Sequence, residues 1–391
     1  MKIAFISNYL TPHQAPFCET MVKQLGDDFS FIASMKMEEE RKNMGWGLKL
    51  QGLSYFHEYD EDPEKAENLL MEADVAICGD APYRLFEKRL KAGKPTLRYY
   101  ERLFKKDLWR VVNPKTRMRY KAQHGVYKDA PVYLLCAGGY VPDDFAKFGA
   151  YKGKTIKWGY FPYFDKTPLA ELMEMKQPGS ILWTGRMLSW KHPEEAVYAM
   201  MLLKDHIEGI HLTMIGEGEQ RPLVEKLIKE HGLEDCVTLL PFMKPKEVRE
   251  YMKRSEIYLM TSDRQEGWGA VMNEAMNSGC AVVASHMAGA TPYLIPDDGL
   301  NGYVYSSREI GELTNAIYDL LLEGDKRKNM AERAYESIAA YWNAEEASLR
   351  MIDFCEGLLK GEERYYSGGP MSRAENLKMT KRFEGMWVEK E

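Results

Sequence analysis

The stretch Ser262–Ser285, SDRQEGWGAVMNEAMNSGCAVVAS, compresses a strand end, a glycine-bearing loop, a short helix and a buried strand into 24 residues. Glu266-Gly267-Trp268-Gly269 reads as the loop, Ala270–Asn277 as a helix stopped by Gly279, and Ala281–Ser285 as the following strand. Glycines let backbone N–H groups approach a ligand closely, and a helix start presents unpaired donors and a positive dipole end. Gly267, Trp268, Gly269, Ala270 and Val271 therefore read as a phosphate site, with Glu266 at its mouth and Glu274 two turns along the helix. A carboxylate is a poor phosphate ligand but a good acceptor for sugar hydroxyls, and Glu274 suits a ribose diol. The plainer alternative is an acid favouring the helix dipole plus a solvated helical acid.

Around this segment, short β-rich runs alternate with longer helical patterns, the mark of βαβ units and parallel sheets. Candidate strands in the first half are Lys2–Ser7, Phe29–Ser34, Val75–Gly79, Pro95–Tyr100 and Val132–Ala137. Those in the second half are Ser180–Thr184, His211–Ile215, Val237–Leu240, Glu256–Thr261, Ala281–Ser285 and Gly302–Tyr305. The expected division is an N-terminal Rossmann-like domain over 1–160, a proline-bearing linker over 161–179 and a second Rossmann-like domain over 180–359. The tail, 360–391, ends in Phe383 and Trp387, aromatics that suggest docking back on the first domain. Two such sheets facing each other leave a cleft, and open α/β sheets bind ligands at the carboxyl ends of their strands.

Glu266, seven residues, then Glu274 resembles the Glu-x7-Glu signature of retaining GT-B glycosyltransferases, family four, of the "glycosyl transferases group 1" type. Thr184-Gly185-Arg186 through Lys191 is similar to that family's Gly-Arg…Lys element, Leu212–Gly218 to its second strand and turn, and Val237–Phe242 to its third strand. The resemblance covers residues 180–305 strongly and the first half in outline. It implies an α/β protein of GT-B fold, two Rossmann-like domains across a deep cleft. It further implies a nucleoside diphosphate sugar as donor, transfer to an acceptor hydroxyl with retention, and no metal or other cofactor. Gly185, Arg186 and Lys191 would take the donor pyrophosphate, Glu266 the donor sugar and Glu274 the ribose. Two cations beside a helix N-terminus can neutralise a departing diphosphate, in agreement with that assignment. His192-Pro193 departs from the family, which usually has a glycine after the lysine. A non-catalytic GT-B partner subunit and a nucleotide-sugar hydrolase or epimerase are the rival readings.

Other segments carry weaker signals. Gly216-Glu217-Gly218 lacks the third glycine of a dinucleotide fingerprint, which argues against a nicotinamide site. Asp60-Glu61-Asp62 spells D-x-D but precedes Pro63 in an acidic loop and reads as a solvated turn. In the loop after the first strand, His13 is placed to touch acceptor or donor phosphate, and stands with Glu266, Arg186 and Lys191 as a catalytic candidate. Asp80 and Glu101, each following a strand, are acceptor-side candidates; Glu101 falls where many family members carry a histidine. His124 reads as structural.

The chain has 391 residues, a formal charge of -6, 45% hydrophobic and 29% charged residues, which is ordinary globular composition. Its six cysteines form no C-x-x-C pair, so neither a zinc cage nor a disulfide framework is expected, and a reducing, cytoplasmic setting fits. No h-region of signal-peptide length and no run of ~20 apolar residues appears. From Arg84 to Lys128, however, 15 Lys/Arg face three acids, a local balance of +12 that leaves -18 for the rest. The segment could hold nucleic acid, an anionic membrane surface, or only water. A membrane face is the most economical with lipid-linked acceptors, giving an enzyme peripheral at the inner face of the membrane, and nucleic acid is not expected.

Overall fold

The computed structural model describes residues 1–106 and 108–379; Asp107, Phe383 and Trp387 lie outside the described residues. The chain divides into a first unit, 1–163 with 341–378, and a second unit, 164–340.

The first unit is built on seven strands: β1 (Ile3–Ser7), β2 (Phe29–Ala33), β3 (Phe56–Glu58), β4 (Val75–Cys78), β5 (Thr96–Tyr100), β6 (Val132–Ala137) and β7 (Thr155–Trp158). All pair in parallel, in the order β3-β2-β1-β4-β5-β6-β7. β1, β2, β4 and β6 are buried at every position, as parallel strands covered on both faces must be, so they appear in the sequence as continuous apolar runs. The two edge strands were not expected. β3 has three residues, none of them fully buried, and β7 has four. The free edge of β7 is covered by chain from the C-terminal segment: Lys157 N donates to Ser372 O at 2.8 Å and Ala374 N to Thr155 O at 3.0 Å. Edge groups paired in this way cannot template association.

The helix Ala344–Leu359 corrects one sequence boundary. It was expected in the second domain, yet it belongs to the first unit, where its buried Ala347, Met351, Phe354 and Cys355 face the helix Ala15–Leu25 and β6. An apolar stripe declares that a helix must be covered, not by which core.

The second unit carries β8 (Gln177–Thr184), β9 (His211–Ile215), β10 (Val237–Leu240), β11 (Ser255–Met260), β12 (Ala281–Ser285) and β13 (Tyr303–Tyr305). They too are all parallel, in the order β10-β9-β8-β11-β12-β13. The expected linker 161–179 is partly structure of this unit: Leu169–Glu174 is a helix, Leu172 is buried, and β8 starts at Gln177. Lys176 explains the anchoring, because its ammonium donates to the carbonyls of Met252, Ser255 and Ser278.

In each unit the strand order reverses beside the first strand, between β1 and β4 and between β8 and β11. Such a switch point splays the loops at the strand carboxyl ends apart and leaves room for a ligand.

Candidate functional site

In the second unit the switch point is formed by the loops after β8 and β11. The β8 loop is locked to the β9 loop by backbone: Met187 N donates to Glu217 O and Gln220 N to Met187 O, both at 2.8 Å. Glycine is required on the β9 side, since a Cβ at Gly216 would lie 1.9 Å from Gly185 O and one at Gly218 2.4 Å from Met187 O. Gly216 and Gly218, a broken dinucleotide fingerprint by sequence, are there for this close approach.

The β8 loop ends in the short turn Ser189–Lys191, and Lys191 reaches across to the β11 loop. Its ammonium lies 2.6 Å from Glu266 Oε2, with both side chains 14% exposed. Ser262 Oγ donates to the same carboxylate oxygen at 3.1 Å, and Thr261 Oγ1 donates to Lys191 O at 2.6 Å. Arg186 is exposed. Gly269 takes the left-handed φ of 97° that caps the helix Ala270–Asn277, and the first N–H groups of that helix, Ala270 and Val271, have no helical acceptor. Lys191, Glu266, Gly185 and the helix start thus lie together in this unit, with Arg186 next to Gly185 in the β8 loop.

One sequence assignment changes, and one alternative reading falls away. Trp268 was placed among the ligand-facing residues, but it is wholly buried, and its Nε1 donates to Asn273 Oδ1 at 2.9 Å. It fastens the loop rather than lining it. Glu274 is not a free helical acid: Arg249, on the helix Pro245–Arg254, donates to its Oε1 at 2.9 Å. The pairing joins residues 25 positions apart, and nothing in the sequence pattern announces it.

The departure at His192 is explained by backbone geometry. His192 has φ 46° and ψ 52° between Lys191 and Pro193, a left-handed conformation costing a non-glycine residue about 1–2 kcal/mol. The following proline disfavours the right-handed alternative. Three groups hold the ring: Glu194 Oε1 at 3.0 Å and Arg308 at 3.2 Å from Nδ1, and Asp263 Oδ2 at 3.5 Å from Nε2. Burial alone would lower the His192 pKa, but contact with Asp263 and Glu194 and the charge of Glu195 outweigh it, raising it to about 9. Burial pushes the neighbouring Glu195 up to about 7, although Tyr305 donates to it at 2.7 Å.

In the first unit, the loops after β1 and β4 meet where Asn8 Nδ2 donates to Asp80 Oδ2 at 3.1 Å. His13 stacks flat on Tyr160, ring centroids 5.6 Å apart, and meets Trp46 edge to face. Tyr160 donates to Glu101 Oε1 at 2.5 Å, and Lys105 pairs with the other carboxylate oxygen. His13 and Glu101 are therefore joined through Tyr160, which the sequence did not single out. Asp62 of the D-x-D accepts from Lys65 N at 3.0 Å as an N-cap, and no group of three or more metal-ligating side chains occurs among the described residues. His124 is buried against Tyr151, with its pKa lowered by burial and by Arg98.

Residues 170–337 match the family model of glycosyl transferases group 1. The match falls within the second unit. Beyond it, the chain is 23% identical over 202 residues to the GDP-mannose-dependent alpha-(1-6)-phosphatidylinositol monomannoside mannosyltransferase of Mycobacterium tuberculosis, covering 49% of this chain and 52% of that protein. It is 29% identical over 163 residues to the alpha-D-kanosaminyltransferase of Streptomyces kanamyceticus, 42% of each. The chain spans about half the length of the curated relatives it matches. In three dimensions it is similar to HepE of Anabaena, solved in complex with UDP, with a TM-score of 0.68 over 90% of this chain and 99% of that one at 16% identity. A likeness at that identity is one of fold, and the fold is GT-B. The residues matched by the group 1 model include the switch-point loops of the second unit.

Proposed function

We propose that the protein is a retaining glycosyltransferase that moves a sugar from a nucleoside diphosphate to an acceptor hydroxyl, without a metal, in polysaccharide or glycolipid biosynthesis. The observation that carries this reading is the Lys191–Glu266 pair beside the start of the helix Ala270–Asn277. Lys191, Arg186 and the helix start place positive charge where a diphosphate would leave, so the residues themselves offer the stabilisation a metal would otherwise supply. Glu266 offers a carboxylate to the sugar. Glu274, oriented by Arg249, offers one to the ribose. In the mechanism proposed for the family, the acceptor attacks the face from which the diphosphate leaves and a phosphate oxygen takes its proton, which demands no strong protein base. The acceptor-side groups are His13, Asp80 and Glu101 of the first unit.

A donor panel tests this. GDP-mannose and UDP-glucose, suggested by the mycobacterial relative and by a HepE complex, together with other nucleotide sugars, should include at least one that raises the melting temperature through binding to the native state. A panel that moves it nowhere would sink the assignment.

We further propose that the acceptor is lipid-linked and that the enzyme is cytoplasmic and peripheral at the inner face of the membrane. Part of the +12 charge is internal: Arg89 and Arg98 are buried, and Arg102 pairs with buried Asp144. Within 109–128, exposed Lys115, Arg119, Lys121 and Lys128 alternate along the chain with exposed Trp109, Val112, Met118 and Val126. Apolar tips among cations suit an anionic bilayer surface. Sedimentation with phosphatidylglycerol vesicles should be strong at low salt and fall several-fold by 0.5 M salt; binding indifferent to salt would contradict it. No helix among the described residues is long and apolar enough to cross a membrane.

A further inference from the structure

Non-glycine residues with left-handed backbone number four among the described residues, and two of them, His192 and Arg308, touch each other beside Lys191. Strained backbone persists only where surrounding structure over-determines it, and it gathers at functional sites. Here the structure doing so is a largely buried group of acids around His192, with the mostly exposed Arg308 at its rim. His192 is faced by Glu194 and Glu195 from the helix Pro193–Leu203, by Asp263 from the loop after β11, and by Arg308 with Tyr305 from the end of β13.

We propose that His192 is a positioning residue of the donor site: it ties the loop carrying Lys191 to the loop carrying Glu266 through Asp263. The proposal rests on reading the second unit as the donor site. Asp263 is placed for the task. Its N–H donates to Trp190 O at 2.9 Å, its carbonyl accepts from Glu266 N at 3.0 Å, and its carboxylate faces His192. One residue thus contacts both sides of the Lys191–Glu266 pair, and the imidazolium supplies the charge that fixes its side chain. Glycine here would adopt the same backbone without strain but could make none of these contacts. The strain is therefore retained for the side chain.

The tie depends on a proton. Nδ1 cannot both donate to Glu194 and accept from Arg308. As imidazolium, the ring donates to Glu194 and pairs with Asp263. As neutral imidazole with the proton on Nε2, its Nδ1 accepts from Arg308, Glu194 loses its donor and Asp263 its counter-charge. Because the folded protein raises the His192 pKa to about 9, the ion pair with Asp263 is held at neutral pH, and as pH rises through that value the tie weakens to a neutral Nε2–H contact.

The test uses the full chain with UDP and GDP as probes, by calorimetry. His192→Gly should weaken binding of whichever diphosphate the wild type takes by about tenfold at pH 7.5, with the melting temperature little changed, since the substitution removes backbone strain. Asp263→Asn should give the same loss, and the double variant no more than either alone, the signature of one shared interaction. Between pH 7.5 and 9.5 the wild type should lose about threefold relative to His192→Gly, as the imidazolium fraction falls with a pKa of about 9 toward a neutral form that binds about as the glycine variant does; comparing the two proteins cancels titration of the probe. Additive losses, or a His192→Gly affinity within twofold of wild type and parallel in pH, would overturn the proposal while leaving the donor site in place. A wild type that binds neither diphosphate overturns the donor-site reading and this proposal with it.

Discussion

On the proposed transferase reading, Glu266→Ala is expected to cut sugar transfer by about 10³-fold or more while the protein folds and still binds a nucleoside diphosphate. The asymmetry follows from the pair at 2.6 Å. Removing the carboxylate leaves Lys191 largely buried without its partner, and an uncompensated charge in that position is unfavourable. A bound diphosphate restores the missing negative charge, so the variant's affinity for UDP or GDP should hold or rise. The sugar, by contrast, loses its acceptor at the reacting end, where contacts made in the transition state determine rate. Lys191→Ala should do the reverse, weakening diphosphate binding by about two orders of magnitude, in line with loss of a charge-assisted contact. Glu266→Gln keeps the shape and can still accept from Lys191 and Ser262, and should fall between. Transfer measured with labelled donor, alongside calorimetry with the diphosphate, separates the two effects. Unchanged transfer in Glu266→Ala would remove the assignment, and equal loss of binding in both glutamate variants would make the residue a structural one.

The sequence was most readable where burial leaves least choice. β9 and β12, each flanked by strands on both sides, begin and end at the residues expected, His211–Ile215 and Ala281–Ser285, because a central parallel strand is an apolar run bounded by turn formers, and the edge strand β10, Val237–Leu240, shows the same run although it is only partly buried. β3 and β7 escaped because three or four residues at an edge need no such run. The same contrast holds at the site. Glu266 and Lys191 declare themselves through glycine-bearing loops, whereas Arg249 and Tyr160 act through pairings that only the folded chain creates. His192 lay in view as a departure from a familiar pattern, but its meaning is a backbone angle, and one sequence does not display angles. Trp268 misled for a chemical reason: an indole beside two glycines looks like a ligand platform, yet its N–H finds Asn273 and its ring the core. Charge counting misled similarly, since Arg89 spends its guanidinium on the carbonyls of Leu70, Ala73, Asp74 and Pro95.

Gly289→Ala should be among the most damaging single methyl groups in the second unit. The loop after β12 lies against the Glu266 loop, with Gly289 N donating to Glu266 O at 3.1 Å and Ala290 N to Trp268 O at 3.0 Å. A Cβ at Gly289 would sit 1.8 Å from Gly267 O and 2.7 Å from its carbonyl carbon, both backbone atoms that no rotamer change can move. The two loops must separate, which strains the turn and breaks hydrogen bonds worth about 1 kcal/mol each. Together with overpacking, the expected destabilisation is about 3 kcal/mol or more. Because the separation displaces Glu266 and the helix start together, diphosphate binding should fall by about 100-fold, a larger loss than the stability change imposes on a protein that remains folded. Gly289 does not occupy the left-handed region, so alanine's own backbone preferences are not at issue and the effect is one of space. Gly311→Ala supplies the control: it lies in the helix Ile310–Leu322, a Cβ there meets nothing within 4 Å, and alanine should raise stability by about 0.5–1 kcal/mol. Thermal melts and calorimetry on the two variants distinguish the cases. Normal diphosphate affinity in Gly289→Ala would mean that the Glu266 loop is held by its own helix and core tryptophan rather than by the strand β12 loop pressed against it.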